Sequence, residues 1–134
     1  MKVLQFAFDS REDSDYLPHN YTKNCIVYTG THDNNTIKGW YKEISSEDKQ
    51  MSVDYINNKY SKEDEIHWDF VCLGMRSVAD TCIIPVQDYL GLDSEARINT
   101  PSTLGNNWTW RMSKGSLSKD IIEKIRMLTK LYGR

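Results

Sequence analysis

Cys25-Ile26-Val27-Tyr28-Thr29-Gly30, running straight into Thr31-His32-Asp33-Asn34-Asn35-Thr36, is the stretch on which the fold turns. Its first half is short, apolar and rich in β-branched and aromatic side chains, which predicts a buried strand. It stops at Gly30 and passes into residues with turn chemistry. Two comparable runs lie outward from it. Residues 2–8 (Lys-Val-Leu-Gln-Phe-Ala-Phe) end at Asp9, and residues 81–86 (Thr-Cys-Ile-Ile-Pro-Val) lead into a helical turn at 87–90. Continuous apolar runs, as opposed to alternating ones, predict a sheet covered on both faces.

Between and after these strands the pattern is helical. Ser46-Glu47-Asp48 supplies a helix start, because Ser and Asp accept from free backbone N–H groups and acids favour the positive end of the helix dipole. Ile66, Phe70, Leu73 and Val78 recur at helical spacing within 62–79, with Trp68 and Met75 nearby. The last helix is expected over 118–132, with Ser118 as its cap, Ile121, Ile125, Leu128 and Leu131 along one side, and Gly133 ending it. Residues 9–24 read as a loop. Residues 91–115 form a second, longer one whose two indoles, Trp108 and Trp110, argue for order.

Strands alternating with helices predict parallel β/α units. Three strands do not close a barrel, which needs eight. The first begins at residue 2 with nothing before it to pair with, so the pattern reads as the last three units of a larger α/β structure. The open strand edges and apolar face of such a piece predict self-association.

Composition excludes more than it assigns. Of 134 residues, 39% are hydrophobic and 27% charged, as in an ordinary globular chain. A net charge of −2 provides no basic field for nucleic acid or an anionic membrane. Cys25, Cys72 and Cys82 sit in apolar runs and form no Cys-x-x-Cys pair, which predicts free thiols in a reducing cytoplasm. Residues 1–8 have neither the length nor the cleavage site of a signal peptide. His19, His32 and His67 match no zinc spacing, so no metal is expected, and no cofactor. A P-loop, a Gly-x-Gly-x-x-Gly and a Gly-x-Ser-x-Gly are all missing.

Two segments carry candidate chemistry. Thr31-His32-Asp33-Asn34 follows the carboxyl end of a predicted parallel strand, the end at which β/α barrels assemble their active sites. A carboxylate there can accept from sugar hydroxyls and stabilise positive charge as a glycosidic bond breaks, and the imidazole beside it can donate. The same residues also make an ordinary turn. Loop 95–111 places Glu95, Arg97, Arg111 and several amides beside two indoles. That composition suits a carbohydrate platform or a loop anchored by two buried Trp.

Longer blocks narrow this choice. Met1-Lys2-Val3-Leu4-Gln5-Phe6-Ala7-Phe8, Tyr16-Leu17-Pro18-His19-Asn20-Tyr21, Tyr28-Thr29-Gly30-Thr31-His32-Asp33-Asn34 and Gly39-Trp40-Tyr41 closely resemble amylomaltases, the 4-alpha-glucanotransferases. So do Pro85-Val86-Gln87-Asp88-Tyr89-Leu90-Gly91-Leu92, Glu95-Ala96-Arg97-Ile98-Asn99-Thr100-Pro101 and Asn107-Trp108-Thr109-Trp110-Arg111. The blocks are in order and span nearly the whole chain.

The resemblance implies an alpha-amylase-like (β/α)8 barrel, of which residues 1–134 are the C-terminal part, with strands six to eight and no second domain. It implies transfer of alpha-1,4-glucan segments between maltooligosaccharides by retaining double displacement. Asp33 becomes the transition-state-stabilising carboxylate, and His32, Asn34, Asp9 and Asn99 become sugar contacts. The nucleophile and the acid/base of such an enzyme belong to strands four and five, outside these residues, so the chain alone is expected to be inactive. The alternative is a non-catalytic carbohydrate-binding or interaction module built from the same fold. Three positions depart from the pattern: Asn35 stands where an acid is common, and Ser102 and Asn106 stand where Gly is common.

Overall fold

The computed structural model describes residues 1–134. Three parallel strands, β1 (Lys2–Val3), β2 (Ile26–Tyr28) and β3 (Thr81–Ile83), form one sheet in the order β1-β2-β3. Lys2 and Val3 lie beside Val27 and Tyr28, and Ile26, Val27 and Tyr28 beside Thr81, Cys82 and Ile83. The parallel α/β reading therefore holds, with shorter strands than expected.

Residues 2–8 are a strand only at their start. At Leu4 the chain turns into a 3-10 segment, Leu4–Phe6, closed by the Ala7 N–H donating to the Leu4 carbonyl at 3.0 Å. The reason lies in which residues are buried. Leu4, Ala7 and Phe8 are, at helical spacing, whereas Phe6 is exposed. A strand would have sent Leu4 and Ala7 to opposite faces. The third run ends early because Pro85 has no N–H for the ladder and instead caps a short helix.

Five α-helices accompany the sheet. Helix α1 (Ile37–Glu43) was not expected; Thr36 caps it, its side chain accepting from the Gly39 N–H at 3.1 Å. Helix α2 (Ser46–Ile56) starts at the expected Ser-Glu-Asp, with Ser45 as the cap. Helix α3 (Ile66–Met75) is shorter than the expected 62–79 and is entered through a 3-10 turn at Glu63–Glu65. Helix α4 (Val86–Leu90) follows β3. Helix α5 (Lys119–Leu131) has the expected Ser118 cap, but of its expected apolar line only Leu128 is buried, and Leu131 faces outward.

The core forms where α1, α3 and the segment after β1 meet over Val27. Phe70 at its centre meets Phe8 at 5.5 Å and Trp40 at 5.3 Å between ring centroids, both edge-on. All of this lies on one face of the sheet. On the other face Val3 is buried but Ile26 and Ile83 are 38% and 42% exposed, so the expected cover on both faces is complete on one and partial on the other. That open face runs up to the carboxyl ends of the strands, where the chemistry-bearing residues gather.

Candidate functional site

Beyond β2 the chain must turn sharply, and Gly30 makes this possible by close approach. A Cβ there would lie 2.6 Å from Gln5 Nε2. The Gln5 amide in turn donates to the Asn35 carbonyl at 2.7 Å, which ties the turn after β1 to the loop after β2. Within that loop Asn34 acts as the turn closer. Its Oδ1 accepts from the Thr31 N–H at 2.9 Å and the Thr31 hydroxyl at 2.8 Å, and its own N–H donates to the Thr31 carbonyl. In Asn34, expected as a sugar contact, the side-chain carbonyl is thus engaged by the Thr31 N–H and hydroxyl.

Asp33 projects from this turn and is about half exposed (48%). Its Oδ1 accepts from Asn99 Nδ2 at 2.7 Å and lies 3.3 Å from His32 Nε2. Its Oδ2 is left without a partner. The His32 ring packs against Trp108, with centroids 5.1 Å apart and planes at 39°. Trp108 is 56% exposed, so this indole is not a buried anchor.

The loop after β3 holds the whole arrangement. Arg97 donates through Nη2 to the Asp33 carbonyl at 2.7 Å and through Nε to the Asn99 carbonyl at 2.9 Å. The Asn99 N–H reaches the His32 carbonyl at 3.2 Å, and the Trp108 N–H reaches the Ile98 carbonyl at 2.7 Å. Asn99, expected as a sugar contact, thus uses its amide on Asp33. Together Asp33, His32, Ile98, Tyr28 and Ile83 line an open cleft of about 510 Å³.

Asp9 is engaged elsewhere. Arg11 donates to both its oxygens, at 2.8 and 2.6 Å, and holds its carboxyl down at about 2. The other two histidines stand apart from the site: His19 Nδ1 lies 3.1 Å from the Tyr55 hydroxyl, and His67 is buried against Gly91.

Backbone strain concentrates in the same loop. Ser102, Asn106 and Trp108 have φ of 63°, 57° and 63°, in the left-handed region. For a residue as bulky as Trp this is a true outlier, and such outliers cluster at ligand-handling sites. Ser102 and Asn106 are the two positions noted above where Gly is common, and the left-handed backbone explains that preference.

Asp88, quoted above only within a matching block, has no role assigned by the sequence. It is buried, and its oxygens accept from the Thr29 hydroxyl at 2.5 Å and the Ile37 N–H at 2.8 Å. Burial pushes its carboxyl up to about 6 against those two hydrogen bonds. No local signal marks it, since both partners lie more than fifty residues away along the chain.

A parallel sheet with crossover helices, presenting a carboxylate, an imidazole and an indole at its carboxyl end, defines an α/β protein with a carboxylate-centred site. Comparison with known proteins places it more narrowly. The family model described as 4-alpha-glucanotransferase matches residues 1–118. The chain is 46% identical to the 4-alpha-glucanotransferase of Clostridium butyricum and 42% identical to that of Thermus thermophilus, in each case over its full length and over 27% and 28% of the relative. A solved amylomaltase from Streptococcus agalactiae, in complex with acarbose, superposes on the whole chain with a TM-score of 0.93 at 34% identity, over 27% of that protein. The chain belongs to the 4-alpha-glucanotransferase family. It spans about a quarter of the length of the relatives it matches.

Proposed function

We propose that these residues are part of an enzyme that transfers alpha-1,4-glucan segments between maltooligosaccharides, with Asp33 as the carboxylate that stabilises the transition state. One observation carries the reading: Asp33 has one oxygen held by the Asn99 amide, with His32 Nε2 3.3 Å from it, and the other unpartnered beside an open cleft. A carboxylate held in this way is pre-oriented toward charge that develops on a sugar ring. His32 is a contact to the same sugar, and the exposed Trp108 face beside it offers a stacking surface. Asn34 and Asn99 act mainly by shaping the turn and holding Asp33, and Asp9 through its pair with Arg11.

In this reading β1, β2 and β3 are strands six to eight of a (β/α)8 barrel, a placement that rests on the resemblance of the Tyr28–Asn34 block to amylomaltases. The nucleophile and the acid/base come from strands outside residues 1–134. Retaining transfer needs two carboxylates about 5–5.5 Å apart, and Asp33 fills neither of those two roles. The test is disproportionation of maltotriose. Residues 1–134 alone are expected to give no glucose above a buffer blank, and the full-length protein is expected to transfer. Turnover by the isolated chain that survives repurification and is abolished by Asp33→Asn would overturn the assignment of roles.

A further inference from the structure

Asp88 is one of the most deeply buried charged residues in the chain, and its two partners have a relation to each other that sets it apart. Thr29 is the last residue before Gly30, and Ile37 is the first residue of α1. They bracket the segment 30–36, which carries His32 and Asp33. One side chain from a third element therefore grips both ends of that segment, one with each oxygen, at 2.5 and 2.8 Å. Both gripped residues are fully buried, so the span between them is set by packed groups.

The neighbouring residue acts on the other loop. Gln87, also buried, donates to the Ala96 carbonyl at 3.2 Å, one residue before Arg97. Adjacent side chains of α4 thus hold the two loops that meet at Asp33. Burying a carboxyl is costly even when it is hydrogen-bonded. An apolar residue would fill the space without that cost but would offer the Thr29 hydroxyl and the Ile37 N–H no acceptor.

We propose that Asp88 is a positioning residue for Asp33, its carboxylate fixing the geometry of segment 30–36 from both ends. This rests on Asp33 having the role given above. The experiment uses the full-length enzyme with maltotriose and the variants Asp88→Asn, Thr29→Val, Asp33→Asn and the Asp33→Asn/Asp88→Asn double. Misplacing a reacting group by a fraction of an ångström lowers turnover with little effect on ground-state binding. Asp88→Asn should lower kcat about tenfold and leave KM within about twofold. Thr29→Val, which removes one of the two contacts at nearly constant volume, should lower kcat by less. Added to Asp33→Asn, Asp88→Asn should lower kcat no further, because the group it positions is already gone.

An unchanged kcat in Asp88→Asn, or a tenfold loss that persists undiminished in the Asp33→Asn background, would overturn the proposal. Should Asp88→Asn not fold, Thr29→Val alone and combined with Asp33→Asn decides by the same criteria. Amide hydrogen exchange on the same variants reads the geometry without turnover. Faster exchange confined to 30–37 is expected, and unchanged or uniformly faster exchange would overturn the proposal. A wild-type enzyme that transfers no glucan would refute the function proposed above, and the exchange result would still judge Asp88.

Discussion

Replacing Gly91 by Ala tests how the loop carrying Arg97, Asn99 and Trp108 is launched. Gly91 closes α4 at φ +62°, and its N–H and that of Leu92 donate back to the Asp88 and Gln87 carbonyls. A left-handed Ala costs about 1–2 kcal/mol. Its Cβ would also lie 2.6 and 2.7 Å from His67 Cε1 and Nε2, far inside contact distance. His67 cannot yield freely, because its ring is buried beside Trp68 at 5.7 Å. Overpacking of this kind costs about 1–3 kcal/mol. Against these stands a gain of roughly 0.4–1 kcal/mol, since Ala has less freedom than Gly to lose on folding. The expected net loss is about 1–5 kcal/mol, read from urea unfolding of the two proteins. Repeating the measurement in a His67→Ala background should remove the overpacking share and leave the backbone share. A loss below about 1 kcal/mol, or one that truncating His67 does not change, would refute the reasoning.

Asp88 predicts a pH dependence. Its carboxyl rises from the usual 3.8 to about 6 in the folded chain, so its contribution to stability is fully present below about pH 4 and is lost as pH rises through 6. The change is about 3 kcal/mol; urea titrations from pH 4 to 7 should show Asp88→Asn free of that decline, and parallel curves for the two proteins would contradict it. Ser102→Gly should raise the melting temperature by relieving a left-handed Ser, worth about 0.5–1 kcal/mol net. Asn106→Gly should gain less, since Asn tolerates that backbone better, and a destabilised Ser102→Gly would show that the hydroxyl matters more than φ.

What the sequence disclosed and what it hid follow a physical division. The β2 run and its stop at Gly30 were readable because both are local: β-branched residues favour the strand, and a glycine marks the close approach of Gln5. Asp33 was placed at the carboxyl edge by that reading alone. The start of α5 was likewise marked by its own Ser118. The turn at Leu4 was hidden, because an unbroken apolar run masks the helical spacing of Leu4, Ala7 and Phe8. Helix α1 is seven residues long, two turns, too few for a period to emerge, and its Gly39 argues against a helix by propensity. That glycine is there for packing, since a Cβ would lie 2.5 Å from Asn35 Oδ1. The roles of Asp88, Arg97 and Asn99 come from contacts across the fold, on which local pattern is silent.

Asp33 is the residue to which the proposed chemistry is assigned, and its substitution in the full-length enzyme is the most direct measurement. With maltotriose as substrate, Asp33→Asn keeps the shape of the side chain and removes its charge. The lost stabilisation belongs mainly to the transition state, so kcat should fall by on the order of a hundredfold or more, about 3–4 kcal/mol, while KM changes little. A variant with unchanged kcat would show that Asp33 is only a turn residue.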